Sequence, residues 1–301
     1  MRQGGRERLT DISSPASSEP LERDMGPVEG LLHADCLDVL AALPGASVDL
    51  VYVDPPFGTG QLRRLDRVVT GAGNKTRVGF GGRTYRYEQE SGETLAFHDD
   101  MGLDEYLEFL AVRITQMHRV LSPTGSIYLH LDHRSVHHAR IIMDEVFGSE
   151  RFLNEIVWAY DYGGRSPRMW PRKHDNLLWY AKGESWTFNS DQIDRIPYMA
   201  PGLVGPEKAA RGKLPTDVWW MTIVPTNSKE RTGYPTQKPL KLLERIVASS
   251  SRPGDLVADF FAGSGTTGVA AKGLGRRFLL VDSSAEAVRI ASSRTGCPRL
   301  V

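Results

Sequence analysis

The chain has 301 residues, 40% of them hydrophobic, which is enough for one large domain or for a core domain with a smaller insert. Its 37 basic and 37 acidic residues cancel, so bulk charge announces no polyanionic partner, and no apolar run nears the roughly 18 residues of a membrane span. The opening MRQGGRERLTDISS lacks the apolar core of a signal peptide, and Cys36 and Cys297 show neither CxxC nor Cys/His spacing. A cytoplasmic protein with two reduced thiols and no metal site is therefore expected.

Residues 1–27 are rich in serine, proline, glycine and charge, which predicts a disordered tail. LLHAD (31–35) reads as a strand and CLDVLAAL (36–43) as a short helix closed by Pro44 and Gly45. VDLVYVD (48–54) is a strand apolar on both faces, the pattern of a buried parallel sheet. The glycine-rich, basic stretch from Gly58 to about Phe97 has no sustained period and is expected to be a long loop. Leu103, Leu107, Leu110, Ile114, Met117 and Leu121 recur in steps of four and three, which predicts a helix ended by Pro123 and Gly125. Strand SIYLHLD (126–132), a helix near 135–147 and strand EIVWAY (155–160) continue the alternation. From Asp161 to Thr232 the period weakens, apart from a strand NLLWYAK (176–182), which predicts a small inserted domain. Then come helix KPLKLLERIVASS (238–250), strand DLVADFF (255–261), helix TTGVAAKGL (266–274), strand RFLLVD (277–282) and a last helix from Ala285. Such alternation predicts an α/β fold, a doubly wound, mostly parallel sheet.

Charge is unevenly spread. Between Gln61 and Glu88 seven basic residues, Arg63 and Arg64 among them, stand against two acids, and RSPRMWPRK (165–173) carries four cations and no acid. Basic clusters with interleaved aromatics suit a phosphate backbone and stacked bases, although charge runs are more often solvated faces. His133 and His137 stand at i, i+4, but no acid and third histidine complete a metal set, so these, His130 and His138 are given packing or surface roles. Trp219 and Trp220 are read as core of the insert in preference to stacking groups.

Two motifs carry chemistry. In DFFAGSGTTG (259–268), Gly263, Gly265 and Gly268 satisfy GxGxxG, and Asp282 ends the next strand, where an acid can bind ribose hydroxyls. A dinucleotide and S-adenosylmethionine make the same demands on such a turn. The loop lies so late, however, that any second half of a dinucleotide fold would have to come from upstream. The other motif, DPPF (54–57), ends a buried strand in a rigid elbow. An exocyclic base amine is a poor nucleophile because its lone pair is delocalised. The Asp54 carboxylate and the Pro55 carbonyl, held still by Pro56, are acceptors for its two N–H groups, and Phe57 offers a ring on which an extruded base can stack. A tight turn with an aspartate cap would use the same DPP residues.

Together these stretches resemble the S-adenosylmethionine-dependent DNA amino methyltransferases of the permuted β class. The order is HAD with Asp35, DPPF, an insert, YPTQKP (234–239), DFFAGSGTT (259–267) and VD with Asp282, and it covers most of the chain from about Leu31. The resemblance implies a circularly permuted Rossmann-like fold with a catalytic part (28–160), a target-recognition insert (161–232) and a cofactor-binding part (233–301). It implies Asp54, Pro55, Pro56 and Phe57 as catalytic, and Asp259, Phe261, Gly263, Gly265 and Thr266 around the cofactor, with Asp282 at its ribose and Asp35 and Cys36 at its adenine. Thr236, Gln237 and Lys238 would meet its methionyl carboxylate at a helix N-terminus, where the dipole favours an anion. Arg63, Arg64, Arg168, Arg172 and Lys173 would contact duplex DNA with the target base flipped out. Asp rather than Ser before PPF resembles the adenine-N6 members more than the cytosine-N4 ones, while an RNA substrate stays open. A homodimer and a cognate restriction nuclease are further partners that the resemblance leaves open.

Overall fold

The computed structural model describes residues 29–56, the backbone of 67–78 and 84–90, residues 101–163 and 165–298, and the backbone of 299–300. The predicted tail, Phe57, Arg63 and Arg64 lie outside the described residues. In chain order the elements are β1 (Gly30–His33), α1 (Cys36–Ala42), β2 (Val48–Val53), β3 (Arg67–Val78), β4 (Thr84–Glu90), α2 (Leu103–Val120), β5 (Leu121–Leu131) and α3 (Val136–Phe147). There follow β6 (Phe152–Ala159), β7 (His174–Ala181), α4 (Pro206–Arg211), β8 (Val218–Trp220), α5 (Leu240–Ser250), β9 (Leu256–Asp259), α6 (Thr266–Gly273), β10 (Arg277–Asp282), α7 (Ala285–Thr295) and β11 (Arg299–Leu300).

Among the described residues nine strands form one sheet, ordered β11-β1-β10-β9-β2-β5-β7-β6-β8. All neighbours are parallel except β5/β7 and β6/β7. The two faces are read directly from β2: Val51 and Val53 pack with α1, α2 and α3, whereas Leu50 and Tyr52 pack with α5 and α6. Alternate side chains of one strand thus fill two cores, which is why the strand is apolar from Leu50 to Val53. Each such fully buried side chain contributes roughly 1.5–3 kcal/mol. Among the described residues no helix is long and apolar enough to cross a membrane.

Three expectations are corrected. The stretch read as a loop contains β3 and β4, which pair as an antiparallel ribbon separate from the main sheet. It lacks an apolar face period, yet TYRYEQE alternates Tyr85 and Tyr87 with polar residues, a strand signal that the glycines around it obscured. Second, NLLWYAK, assigned to the insert, is β7, and it pairs between β5 and β6 inside the main sheet, so the boundary at Asp161 does not coincide with a break in that sheet. Third, α2 buries Tyr106, Leu110, Ile114, Met117 and Val120, leaving Leu103 47% exposed, and Leu121 opens β5.

Candidate active site

β2 and β9 are neighbours, and their chains leave in opposite directions: β2 continues through α2 to β5, and β9 through α6 to β10. Right-handed crossovers then put α2 and α6 on opposite faces and open a crevice at the carboxyl ends of β2 and β9. A cavity of about 650 Å³ occupies it. Four carboxylates (Asp35, Asp54, Asp259, Asp282) and two cations (Arg113, Lys238) line it, together with Met101, Phe109, Phe261 and Pro55. This is a net acidic pocket with apolar walls.

Asp54 follows the last residue of β2, with Pro55 and Pro56 also on the wall. One of its oxygens, Oδ2, takes the Lys238 ammonium, while Oδ1 is buried without a hydrogen-bond partner among the described residues. An ionised carboxylate only accepts, so the site presents an unfilled acceptor.

Asp259 closes β9 and is 2% exposed. Its Oδ1 accepts from the Phe261 N–H (3.0 Å) and Oδ2 from the Thr267 hydroxyl (2.5 Å). Burial nevertheless pushes its pKa up to about 7, with Asp54 and Asp282 adding to the rise against those two donors. Asp282 accepts from the Gly263 N–H and the Ser284 N–H, both at 2.8 Å, and burial raises it as well. The acid that ends β10 thus holds the glycine turn in shape besides facing the cavity.

The three motif glycines divide their work. At Gly263 (φ +50°) an added Cβ would lie 3.0 Å from the Tyr234 ring, and both residues line the cavity. At Gly265 (φ +74°) it would lie 2.6 Å from the Cβ of Ala291 on α7, and at Gly268 2.6 Å from Leu280 on β10. Gly265, expected at the cofactor, therefore faces a packed helix, because the turn must pass close beneath α7. Thr266 does line the cavity, and its hydroxyl accepts from Arg294 (2.8 Å).

At α1, Asp35 caps the helix by accepting from the Leu37 N–H (2.8 Å), and Arg113 reaches both Asp35 (3.5 Å) and the Cys36 sulfur (3.1 Å). Burial raises the Cys36 thiol, with Arg113 opposing. Arg113 also lies 3.6 Å over the Phe109 ring, which packs near Phe261. Arg113 escaped the sequence reading because it sits on α2, far from any motif.

The YPTQKP segment departs most from expectation. Helix α5 starts only after Pro239, and the Glu230 carboxylate accepts from its Leu240 N–H (3.1 Å). The anion at that helix end is thus the chain's own. Gln237 turns away from the cavity: its Oε1 accepts from the Thr232 N–H and hydroxyl (both 2.8 Å), and its Nε2 donates to the Glu230 carbonyl (2.7 Å). Lys238, outside the helix, extends to Asp54, and Thr236 and Lys238 line the wall.

A buried polar chain reaches the cavity from the sheet. The Tyr52 hydroxyl and His130 Nδ1 share a hydrogen bond of 2.8 Å, His130 Nε2 lies 3.4 Å from Asp175 Oδ2, and the Tyr160 hydroxyl donates to Asp175 Oδ1 (3.2 Å). Burial would raise Asp175, but the hydrogen bond and charge of His130, with Lys238 and Tyr160, outweigh it and hold the carboxyl below its usual range. His130 is fully buried, so of the roles weighed for it, packing inside this chain applies and a surface role does not. Of the expected nucleic-acid contacts, Arg168 and Arg172 are exposed and Lys173 is half-buried, donating to the Gly163 carbonyl (3.0 Å). Trp219 is buried and Trp220 75% exposed, which splits a pair that sequence treated alike.

Residues 48–293 match the family model described as DNA methylase, of the N6/N4 type. The chain is 30% identical over 276 residues to the type II methyltransferase M.BglII of Bacillus subtilis, a match covering 87% of this chain and 67% of that protein. It is 29% identical to M.HpaI of Haemophilus parainfluenzae (88% and 73% covered) and 28% identical to the DNA adenine methyltransferase YhdJ of Escherichia coli (88% and 81%). Among solved structures, the fold resembles the cytosine-N4-specific PvuII DNA methyltransferase (TM-score 0.60, 20% identity, 89% and 86% covered). It also resembles the M1.HpyAVI–SAM complex (TM-score 0.56, 21% identity, 88% and 98% covered). The chain belongs to the N6/N4 family of S-adenosylmethionine-dependent DNA methyltransferases, built on a Rossmann-like sheet.

Proposed function

We propose that the chain is a site-specific adenine-N6 methyltransferase of the permuted β class, acting on duplex DNA with the target base turned into the cavity. The carrying observation is the buried, unpartnered Oδ1 of Asp54 at the end of β2, beside a carbonyl fixed between two prolines. The cavity's residues fit S-adenosylmethionine. A cation with an aromatic part suits a net acidic pocket with phenyl walls, and the bare Cα of Gly263 leaves space beside Tyr234 that a Cβ would take. Bound there, the cofactor supplies a methyl group already activated by its sulfonium. Asp259, Asp282 and Asp35 would hold it.

The chain's own residues do the rest. Lys238 occupies Asp54 Oδ2 and leaves Oδ1 to accept one N–H of the base amine, and the Pro55 carbonyl accepts the other. Two fixed acceptors favour the rehybridised nitrogen over the planar one, and they need no reorganisation as it forms. Asp54 can take the proton that the amine sheds. Arg168, Arg172 and Lys173 are the proposed phosphate contacts, and relatives named type II methyltransferases make a cognate nuclease a partner to seek.

The adenine assignment draws on Asp54 before Pro-Pro and on the relative named an adenine methyltransferase. A cytosine-N4 activity is the second reading, favoured by the fold match to a cytosine-N4 enzyme. Incubation with labelled S-adenosylmethionine and duplex DNA, followed by digestion to nucleosides, separates them. Label in N6-methyladenine is expected; label in N4-methylcytosine transfers the assignment, and label in neither overturns both.

A further inference from the structure

The connection between β6 and β7 carries a feature that folding does not explain. Because β7 runs antiparallel to β5, its first residues lie at the edge where β2 and β5 end: Leu131 pairs with Asn176, and Ala159 with His174. Residues 161–163 and 165–173 therefore rise from the same edge as Asp54. The base of this connection is closed by the Tyr160 N–H donating to the Lys173 carbonyl (2.9 Å) and by the Tyr160–Asp175 contact, which joins the buried chain to Tyr52. Nearer the tip, Ser166 Oγ accepts from the Arg168 and Met169 N–H groups (3.2 and 3.3 Å), and Pro167 and Pro171 restrict the backbone.

On this braced segment Trp170 is 93% exposed and Met169 58% exposed. A tryptophan that leaves nearly all its surface in water adds almost nothing to the fold. Within five residues of it in the chain, Arg165, Arg168 and Arg172 are exposed and form no ion pair among the described residues. An exposed apolar plane on a short segment with three exposed guanidinium groups has the complementarity of stacked bases between phosphates. Trp220 sits on the same edge, in register with Ala159, but its strand carries no cation.

We propose that Trp170 enters the duplex at the target site and stacks in the gap left by the extruded base, while Arg165, Arg168 and Arg172 hold the flanking phosphates. The inference rests on the duplex-DNA function proposed above. Extruding a base costs stacking on both of its neighbours, and an inserted aromatic plane restores part of it. Trp170 is thus a positioning residue that stabilises the open duplex, distinct from the acceptors that hold the amine.

The test compares wild type, Trp170→Ala, Trp170→Phe and Arg168→Ala in single-turnover methyl transfer. The substrate is a duplex bearing the motif found methylated in DNA from a host expressing the full chain. A second duplex carries an abasic site opposite the target base, where pairing no longer has to be broken. Trp170→Ala is expected to slow transfer roughly tenfold or more on the paired duplex and to recover most of that loss on the abasic one, with Trp170→Phe close to wild type. Arg168→Ala should weaken both duplexes alike and lessen the salt dependence. Equal rates for Trp170→Ala and wild type on the paired duplex, or an equal loss on both duplexes, overturn the inference. Wild-type protein that methylates no duplex overturns the proposed function itself, and the inference with it.

Discussion

Substituting the three glycines of the 259–268 turn separates backbone packing from ligand space. Gly265→Ala would place a Cβ 2.6 Å from the Cβ and 2.9 Å from the Cα of Ala291. Carbon atoms normally rest about 3.5–4.0 Å apart, so α7 must retreat by roughly 1 Å. One of the colliding atoms is backbone, so a rotamer change does not relieve it, and overpacking of this kind costs about 1–3 kcal/mol. The φ of +74° at this position adds about 1–2 kcal/mol for any residue with a Cβ. The sum, about 2–5 kcal/mol, is a large part of an ordinary domain's stability and corresponds to a fall in Tm of roughly 4–10 °C. Gly268→Ala meets the far end of the Leu280 side chain at 2.6 Å and gains about 1 kcal/mol of helix propensity, so its net cost should be clearly smaller. Gly263→Ala carries a similar left-handed backbone penalty (φ +50°), but the atoms nearest its Cβ belong to the Tyr234 ring, which can swing into the cavity, so it should weaken S-adenosylhomocysteine binding roughly tenfold or more with a lesser loss of stability than Gly265→Ala. Thermal unfolding and calorimetric titration of the three variants read both quantities. Wild-type stability in Gly265→Ala, or a larger loss in Gly268→Ala, would refute the assignment of Gly265 to helix packing.

Asp54→Asn keeps the shape of the elbow but removes the charge, and kcat should fall roughly 10²–10³-fold with cofactor affinity changed only a few-fold; a rate within tenfold of wild type places the acceptor elsewhere. The raised pKa of Asp259, about 7, sets a pH dependence. Its folded value lies above the unfolded value of about 3.9, so in the ligand-free protein this group's stabilising contribution is full below that value and is lost as pH rises through about 7. A cationic ligand favours the ionised carboxylate, so the Tm increase given by S-adenosylmethionine should grow from pH 6 to pH 8, and a pH-independent increase contradicts the proposed contact. His130→Ala should cost roughly 3 kcal/mol in urea unfolding, because it leaves the Tyr52 hydroxyl unpaired beside a void, whereas Tyr52→Phe should cost only about 1 kcal/mol. Equal losses in the two variants would show that the imidazole is not the keystone of the chain.

Most local elements were legible in the sequence, since apolar period and turn chemistry act between near neighbours. VDLVYV, apolar on both faces, announced a central parallel strand, and DPP and the glycine turn announced themselves by rigidity and by small size. The sequence also placed Asp54, Asp259 and Asp282 at strand ends, where open α/β sheets bind ligands. NLLWYAK was readable as a strand, but which strands it joins was not, because its backbone donors fit any edge and only the burial of both faces between β5 and β6 selects one. The tertiary structure alone put Glu230 at the start of α5 and Lys238 on Asp54. It likewise brought Arg113 to Cys36 and strung Tyr52, His130, Asp175 and Tyr160 into one chain. These partners stand 10 to 184 positions apart, and a charge or hydroxyl has no period to betray its mate. Their pairing follows from which unpartnered polar groups the folded sheet buries side by side.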